Sequence, residues 1–278
     1  MDHFDRTRRA ASTLAAQIGA KPVIMGILNV TPDSFSDGGR FFAPDTALNH
    51  ARKLAAAGAD MIDIGAESTR PGFAPVTPEA QWARMERVLP ALIEDVGLPV
   101  SVDTTHASVA RKCLALGAAV VNDQSALRAD PAMAGLVAES GALLVAMHFC
   151  EAVDPARDLL AHMLDFFGET LERARKAGVE RAKIILDPGV GFGKTPQQNV
   201  QAIAATAQLR ETFGLPVLVG LSRKSFIGAL TGAPVGERLA GTLAAHLAAR
   251  ARGAAIFRVH DVAEHAQAFK IWAAIADA

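Results

Sequence analysis

One pattern recurs along the chain and constrains its fold more than any other feature. A short apolar run ends in a polar residue, and a glycine-containing loop and a helical segment follow. The clearest copy is residues 183–199, KIILDPGVGFGKTPQQN. Residues 184–186 form the apolar run, Asp187 ends it, and Thr195 followed by Pro196 is typical of a helix N-cap and first helical residue. A continuously apolar strand is buried on both faces, as in a parallel sheet covered by helices.

The glycines of this stretch do not form a standard phosphate-binding loop. Walker A spacing requires a glycine where Pro188 stands, and a G-x-G-x-x-G fingerprint requires one where Lys194 stands. The stretch instead predicts a carboxylate at the carboxyl end of a parallel strand, where such folds bind ligands. Asp187 could equally cap a turn, so the repetition along the chain is what favours a functional role.

About eight such units follow one another in ~250 residues, which predicts an α/β fold of the single-domain (β/α)8 TIM-barrel type. We expect residues 1–20 to form a lead-in helix and residues 21–278 to form the barrel. Within the barrel, residues 78 to about 94 and residues 198–213 are each expected to form one helix. Residues 30–43 and 65–77 are long polar connections after strands 1 and 2, where about 2 to 6 residues are usual, and such loops are typical of lids. The alternative is a doubly wound sheet in two domains, but no linker or compositional break supports it.

Nearly every predicted strand ends in residues that could bind a ligand. In chain order they are Asn29, Asp63, Asp103, Asn122, Met147-His148, Asp187, Ser222 to Ser225, and Arg258 with His260. In a barrel they would ring one mouth, and such a ring is costly to bury unless a ligand engages it. Carboxylates and amides suit a flat nitrogen heterocycle, whereas Lys224, Arg258 and His260 suit an anion. The pattern therefore predicts a site for a nitrogen heterocycle with a phosphate-like group.

The composition excludes several classes of protein. The formal net charge of the 278-residue chain is -1, so it has no general basic field for nucleic acid. Cys113 and Cys150 show neither metal-site spacing nor a disulfide framework, which favours a cytoplasmic location. No apolar run approaches the ~18 residues of a membrane span, and the first residues lack the apolar core of a signal peptide. We expect small-molecule partners and neither a nucleic-acid nor a membrane partner.

Six motifs at these strand ends resemble the dihydropteroate synthases of folate biosynthesis. They are GILNVTPDSFSDGG (26–39), DIGAESTRPG (63–72), VDTTHA (102–107), ILDPGVGFGK (185–194), SRKSFIG (222–228) and RVHDV (258–262). The resemblance runs from about Pro22 to Ala268. It implies a homodimeric barrel that uses Mg²⁺. It also implies a transferase that joins 6-hydroxymethyl-7,8-dihydropterin diphosphate to p-aminobenzoate, with diphosphate as the second product.

The resemblance also implies roles for individual residues. The implied pterin contacts are Asp103, Asn122, Met147, Asp187, Lys224 and Arg258. Asn29 would be the magnesium ligand, and the diphosphate contacts would be Asn29, Thr69, Arg258 and His260. The p-aminobenzoate site would comprise Phe35, Arg70, Pro71, Phe192 and Ser225. We also expect Asp37, Lys224 and Arg258 to act in catalysis, with Asp37 as the candidate stabiliser of a pterin cation in an SN1-like substitution.

Two stretches depart from the family's pattern. Phe149-Cys150-Glu151 stands where a Gly/Pro-containing loop is expected, and Gln124 stands where an apolar residue is commoner. Both concern the shape of loops beside the implied contacts. Four histidines on predicted helices are expected to have surface or packing roles, and His106 and His148 are expected near the mouth. The four are His50, His162, His246 and His265.

Two other functions fit a pterin-binding barrel. One is a methyltransferase that uses methyltetrahydrofolate, which would share the pterin contacts but needs no diphosphate site. The other is a pterin carrier without catalytic activity, in which two long lid-like loops would have no purpose. Asn29, the SRK motif and the pair Arg258 and His260 favour the synthase over both.

Overall fold

The computed structural model describes residues 3–31, 44–67 and 76–276. Within these ranges eight parallel strands alternate with helices. The strands are β1 (Val23–Asn29), β2 (Met61–Gly65), β3 (Val100–Asp103), β4 (Val120–Asp123), β5 (Leu143–Met147), β6 (Ile184–Asp187), β7 (Leu218–Val219) and β8 (Ile256–Val259).

Twelve α-helices lie in the described ranges. They are α1 (Asp5–Gln17), α2 (Pro44–Ala56), α3 (Pro78–Met85), α4 (Leu89–Asp95), α5 (Ala107–Leu116), α6 (Met133–Ser140), α7 (Leu159–Lys176), α8 (Pro196–Ala204), α9 (Thr206–Phe213), α10 (Ser225–Thr231), α11 (Leu239–Ala251) and α12 (Val262–Ala276). Short 3-10 helices occupy Arg181–Lys183 and Val235–Glu237.

The sheet closes into a barrel at the junction of β6 and β7. Its strand order is β6-β5-β4-β3-β2-β1-β8-β7, with parallel pairing throughout. The two end strands meet through a single parallel bridge between Leu186 and Val217, and the backbone N–H of Leu186 donates to the carbonyl of Pro216 at 3.0 Å. The predicted (β/α)8 TIM barrel is therefore confirmed.

The core has an inner and an outer part, as expected for strands with apolar residues on both faces. The inner part contains side chains near the amino-terminal ends of the strands, such as Met25, Met61 and Leu143. Ala11 and Leu14 of α1 are fully buried against them, so α1 covers that end of the barrel. The outer part lies between the strands and the surrounding helices. The polar residues that end the strands lie at the opposite end of the barrel.

Two predicted helices are interrupted in the structure. The segment predicted as one helix from Pro78 to about Glu94 forms α3 and α4, and Pro90 lies at the start of α4. Proline has no N–H to continue a preceding helix, which accounts for the break. The segment predicted as one helix from 198 to 213 divides at Ala205 into α8 and α9, where the sequence has neither glycine nor proline.

No helix in the described ranges is both long enough and apolar enough to cross a membrane.

Candidate active site

Asp63 is the centre of a buried polar cluster at the carboxyl end of the barrel. Its side chain is fully buried, and Arg258 donates from Nε to its Oδ2 at 2.6 Å. Ser101 donates to Oδ1 at 2.6 Å, and the amide of Asn122 lies 3.3 and 3.4 Å from the two oxygens. Strands β2, β3, β4 and β8 each supply one of these four residues. The carboxylate therefore holds the guanidinium and the amide in fixed positions at the mouth.

Asp103 is the second carboxylate of this cluster. It accepts from Arg258 Nη2 at 3.1 Å and from Gln124 Nε2 at 2.8 and 3.0 Å. Burial, followed by the negative charge of Asp63, raises the pKa of Asp103 to about 7, although Arg258 and Gln124 oppose the shift. The carboxyl group therefore changes charge near neutral pH. Gln124 is one of the departures from the family's pattern. Its amide donates to both oxygens of Asp103, which is itself a predicted pterin contact.

Asp187 ends β6 as predicted and is buried. Its Oδ1 accepts a hydrogen bond from the backbone N–H of Gly189 at 2.8 Å. Burial raises the pKa of Asp187, while the Gly189 N–H and the positive charge of Lys224 oppose that shift. Gly189 is its one hydrogen-bond donor among the described residues, so the carboxylate retains acceptor capacity for a ligand.

Lys224 lies beside Asp187 and faces the glycine-rich loop after β6. Its ammonium group donates to the carbonyl of Val190 and lies 4.4 Å from the centre of the Phe192 ring. Burial lowers the pKa of Lys224 to about 8, and Asp187 opposes the shift. Lys224 is the N-cap residue of α10, and Ser225 is the first residue of that helix. The structure thus brings Lys224, Asp187 and Phe192 together.

The loop after β6 needs glycine at two points because backbone from the β5 connection packs against it. A Cβ atom at Gly189 would lie 1.7 Å from the carbonyl oxygen of His148, and one at Gly193 would lie 1.9 Å from that of Cys150. Both glycines also have positive φ, 63° and 62°. Lys194 joins the same two segments. Its ammonium donates to the carbonyls of Gly189 (2.8 Å) and Phe192 (3.2 Å) in its own loop and of His148 (3.4 Å) in the β5 connection.

Three further predicted residues end their strands at the same mouth. Met147 is buried and pairs in register with Asp187. Asn29 ends β1 in register with Gly65, and its Oδ1 lies 3.8 Å from the point that a Cβ of Gly65 would occupy. His260 follows β8, and its Nδ1 lies 2.9 Å from the hydroxyl of Ser222, which also accepts from the His260 backbone N–H.

Five of the predicted site residues lie outside the described ranges. They are Phe35 and Asp37 of the first long connection and Thr69, Arg70 and Pro71 of the second.

His148 does not point to the mouth. Its ring packs against Phe166 and Phe167 of α7, with ring centres 4.9 and 6.1 Å apart, and its Nε2 lies 2.8 Å from Nδ1 of His162. Burial lowers the pKa of His148 to about 2. The residue before it, Met147, ends β5, and successive side chains of a strand point to opposite faces. His148 therefore belongs to the layer between sheet and helix.

Two buried histidines, His246 and His265, hold the backbone of the loop after β7. A surface or packing role was expected for both. The backbone N–H of Leu221 donates to Nε2 of His246 at 3.2 Å, and Nδ1 of His246 lies 2.8 Å from Nε2 of His265. Both rings are fully buried. Their role is to position the backbone of the SRK segment.

Asp63, Gln124 and Lys194 hold the site together, yet the resemblance assigned them no role. Asp63 had a detectable signal, because a charged residue within the apolar run of β2 needs a buried partner. Lys194 and Gln124 gave no comparable signal, since neither lies in an apolar run. Lys194 bonds to carbonyls of its own loop and of the β5 connection, and Gln124 bonds to Asp103 of β3.

Comparisons with known proteins identify the family. The family model described as "Pterin binding enzyme" matches residues 25–260. The dihydropteroate synthase of Clostridium beijerinckii is 42% identical over 255 residues, which cover 91% of this chain and 94% of the relative.

Solved structures give the same result. A dihydropteroate synthase from Clostridium difficile, solved with pteroic acid, has a TM-score of 0.89 and 41% identity and covers 93% of this chain and 98% of its own. The Xanthomonas albilineans enzyme with 4-aminobenzoic acid has a TM-score of 0.88 and 43% identity and covers 93% and 94%. The chain therefore belongs to the dihydropteroate synthases of the pterin-binding enzyme family.

Proposed function

We infer that the mouth of this barrel is where the chain joins a dihydropterin diphosphate to p-aminobenzoate, with Asp187 at the edge of the pterin ring. The observation that carries this proposal is the state of Asp187, a buried carboxylate with spare acceptor capacity beside the ammonium of Lys224. A pterin offers an amino group and a ring N–H side by side, which match two carboxylate oxygens. Relatives solved with 4-aminobenzoic acid and with 7,8-dihydropteroate support the same ligand class.

The other pterin contacts would surround the ring. Asn122 gives its amide hydrogens to Asp63, which leaves the amide oxygen to accept from the ring. Asp103 would lie at the same edge, Met147 would pack on one face, and Arg258 would stack on the other. The guanidinium of Arg258 is hydrogen-bonded to both Asp63 and Asp103 and is therefore already fixed. Stacking its flat face on the pterin ring would cost little side-chain entropy.

The diphosphate would bind beside β1 and β8, near Asn29, Thr69, Arg258 and His260. Whether a magnesium ion would fit there depends on the side-chain oxygen atoms present. Asn29 Oδ1, the implied ligand atom, lies 3.8 Å from the point that a Cβ atom at Gly65 would occupy, so the absence of a side chain at Gly65 leaves space beside it. Amide and carboxylate oxygens are the ligands that Mg²⁺ prefers. The residues present fit the ion, which would supply positive charge to the departing diphosphate.

The p-aminobenzoate would lie against Phe192, with its carboxylate near Ser225 and with Phe35, Arg70 and Pro71 as further walls. Lys224 contacts the same aromatic ring that would line this pocket, so the two substrate sites would adjoin at Lys224.

For the reaction we propose an SN1-like course. The bond between the pterin methylene and the diphosphate oxygen breaks, and the electron pair leaves with diphosphate. The neutral amine of p-aminobenzoate then attacks the methylene cation and loses a proton. Asp37 is the proposed stabiliser of that cation, and Lys224 and Arg258 hold the reacting groups while water is excluded. No side-chain nucleophile is required, so a trapped covalent pterin adduct would contradict this course.

The direct test is to incubate the protein with dihydropterin diphosphate, p-aminobenzoate and Mg²⁺ and to measure dihydropteroate. We expect product with the wild type and at least a tenfold lower kcat/KM with Asp187→Asn. A protein that binds the pterin diphosphate but forms no product would contradict the proposal. A methyl-transfer assay with methyltetrahydrofolate serves as the control for the alternative function, which no observation here favours.

A cytoplasmic location and a homodimer remain predictions. Large apolar side chains that a second copy could cover are exposed on α10, α12 and the segment after α10. They are Leu230, Val235, Ile271 and Ile275. Analytical ultracentrifugation would show the oligomeric state.

A further inference from the structure

A second cluster of potential ligands lies behind the barrel mouth, where β5 leads into α7. It contains His148 and Cys150, which follow β5, and His162 of α7. One ligand atom from each of the three residues lies within 4.8 Å of the other two. None of these residues is among the proposed substrate contacts.

Two observations indicate that the cluster has unused binding capacity. Neither ring nitrogen of His148 is held by a backbone group or a carboxylate of the described residues, because Nε2 faces Nδ1 of His162 and Nδ1 is buried without a hydrogen-bond partner among them, which is uncommon in a native structure. The thiol of Cys150 is free, and its side chain is buried beside the two imidazoles. Imidazole nitrogen and thiolate sulfur are both ligands of Zn²⁺, and three protein ligands leave one position of a tetrahedral site open.

The spacing needs only a small adjustment to hold an ion. With metal bonds of about 2.0 to 2.3 Å in a tetrahedral arrangement, ligand atoms lie roughly 3.4 Å apart. The two imidazoles are already joined at 2.8 Å, and the three ligand atoms lie within 4.8 Å. His162 and Cys150 can therefore reach a common ion through side-chain rotation, while His148 stays fixed between Phe166 and Phe167.

The surroundings discriminate between kinds of cation. Lys194 lies close to His148, since its ammonium is 3.4 Å from the His148 carbonyl, and Arg157 and Arg128 add positive charge. These charges oppose a hard ion that binds only through electrostatic attraction. They oppose less an ion that forms partly covalent bonds with thiolate and imidazole. The cluster therefore favours Zn²⁺ over Mg²⁺.

We propose that His148, Cys150 and His162 form a binding site for a borderline-soft divalent ion of the Zn²⁺ class, separate from the substrate site. Binding converts the thiol to a thiolate that coordinates the ion, and the thiol proton passes to solvent. The ion would clamp the β5 connection to α7. It would thereby support the backbone at residues 148 and 150, against which Gly189 and Gly193 pack.

Cobalt(II), a spectroscopic stand-in for zinc, tests this proposal without any substrate. Addition of Co²⁺ to the full chain should give one equivalent of bound ion, with a thiolate-to-cobalt charge-transfer band and the visible spectrum of a tetrahedral site. A large excess of Mg²⁺ should leave the spectrum unchanged, whereas Zn²⁺ should abolish it by displacement.

Variants assign the spectrum to the cluster. Cys150→Ser should abolish the charge-transfer band, and His162→Gln should weaken Zn²⁺ binding by more than the roughly 10- to 100-fold that losing an outer partner of a metal ligand costs. Cys113→Ala removes the other cysteine, which lies in the core, and should leave the band unchanged. Circular dichroism checks that each variant is folded. The absence of a band in the folded wild type, or its persistence in Cys150→Ser, would overturn the proposal.

Discussion

Arg258 and Asp63 form an ion pair across the barrel mouth, with Nε of the arginine 2.6 Å from Oδ2 of the aspartate. The Asp63 carboxylate is fully buried, whereas the Arg258 side chain keeps 23% of its surface exposed. The pair therefore links the interior of the sheet to the surface that a ligand would contact.

The first prediction concerns the stability of this pair. Asp63→Asn leaves the guanidinium without its closest carboxylate, and breaking a buried pair from one side costs about 3 to 5 kcal/mol. The cost should be smaller in an Arg258→Met background, because the Asp63→Asn change then no longer leaves a guanidinium without its closest carboxylate. Urea denaturation of the four proteins in this double-mutant cycle measures both values. Asp95→Asn is the control, since it removes a half-exposed pair with Arg52 and should cost about 0.2 to 1 kcal/mol.

The second prediction concerns Asp187. Replacing Asp187 with Asn puts an N–H where an acceptor faces the pterin edge, and an unpaired buried polar group costs about 1 to 3 kcal/mol. Pterin affinity should fall at least tenfold in calorimetry. Asp165→Asn, on the exposed side of α7, should bind as the wild type does. Unchanged affinity in Asp187→Asn would remove this residue from the site.

The third prediction concerns the charge of Asp103. Its pKa rises from 3.8 to about 7 in the folded protein, so between these pH values the folded state binds more protons than the unfolded state. Stability should therefore fall as the pH rises through this window, by at most about 1.4 kcal/mol for each pH unit. Asp103→Asn should remove this part of the pH dependence. Equal slopes for the wild type and the variant would contradict the prediction.

A substitution at Gln124 provides a second test of the pKa of Asp103. Its amide stabilises the charged form of Asp103, so Gln124→Leu should raise the pKa of Asp103 further. Carboxyl chemical shifts of the two proteins, followed by NMR across neutral pH, provide the comparison. An unchanged or lower pKa in the variant would contradict the prediction that the amide stabilises the charged form of Asp103.

The fourth prediction is that p-aminobenzoate binds after the diphosphate site is filled. The two long connections are rich in Gly, Pro, Ser and Thr, and each carries proposed site residues. Magnesium diphosphate would engage the Asn29 end of one connection and Thr69 in the other, and so assemble the p-aminobenzoate walls. The affinity for p-aminobenzoate should rise at least tenfold, about 1.4 kcal/mol, and the affinity for diphosphate should rise equally. Titration of p-aminobenzoate with and without diphosphate tests this, and equal affinities would mean that the pocket is preformed.

The sequence was sufficient to predict the barrel, because each strand is a short apolar run that ends in a recognisable polar residue. The place of Asp103, Asn122, Asp187 and Arg258 at one mouth follows from that repetition and from the parallel direction of the strands.

What the sequence could not predict depends on contacts between distant segments. The carbonyls that bind Lys194 come from two loops, and the place of His148 depends on how α7 packs against β5. Residue type alone gives no indication of either contact. His148 follows Met147 directly, so the sequence places it near the mouth, whereas the strand geometry turns its side chain to the opposite face.

The weak closure of the barrel between β6 and β7 would make its stability depend on substrate binding. Asp187 ends β6 and Lys224 follows β7, so these two proposed pterin contacts lie on either side of the seam where a single bridge joins the end strands. Elsewhere around the barrel, neighbouring strands are tied by a ladder of two or more residue pairs. A pterin held by both residues would act as a cross-brace over that seam. Bound substrate would then strengthen the barrel where β6 and β7 are joined by the fewest backbone hydrogen bonds.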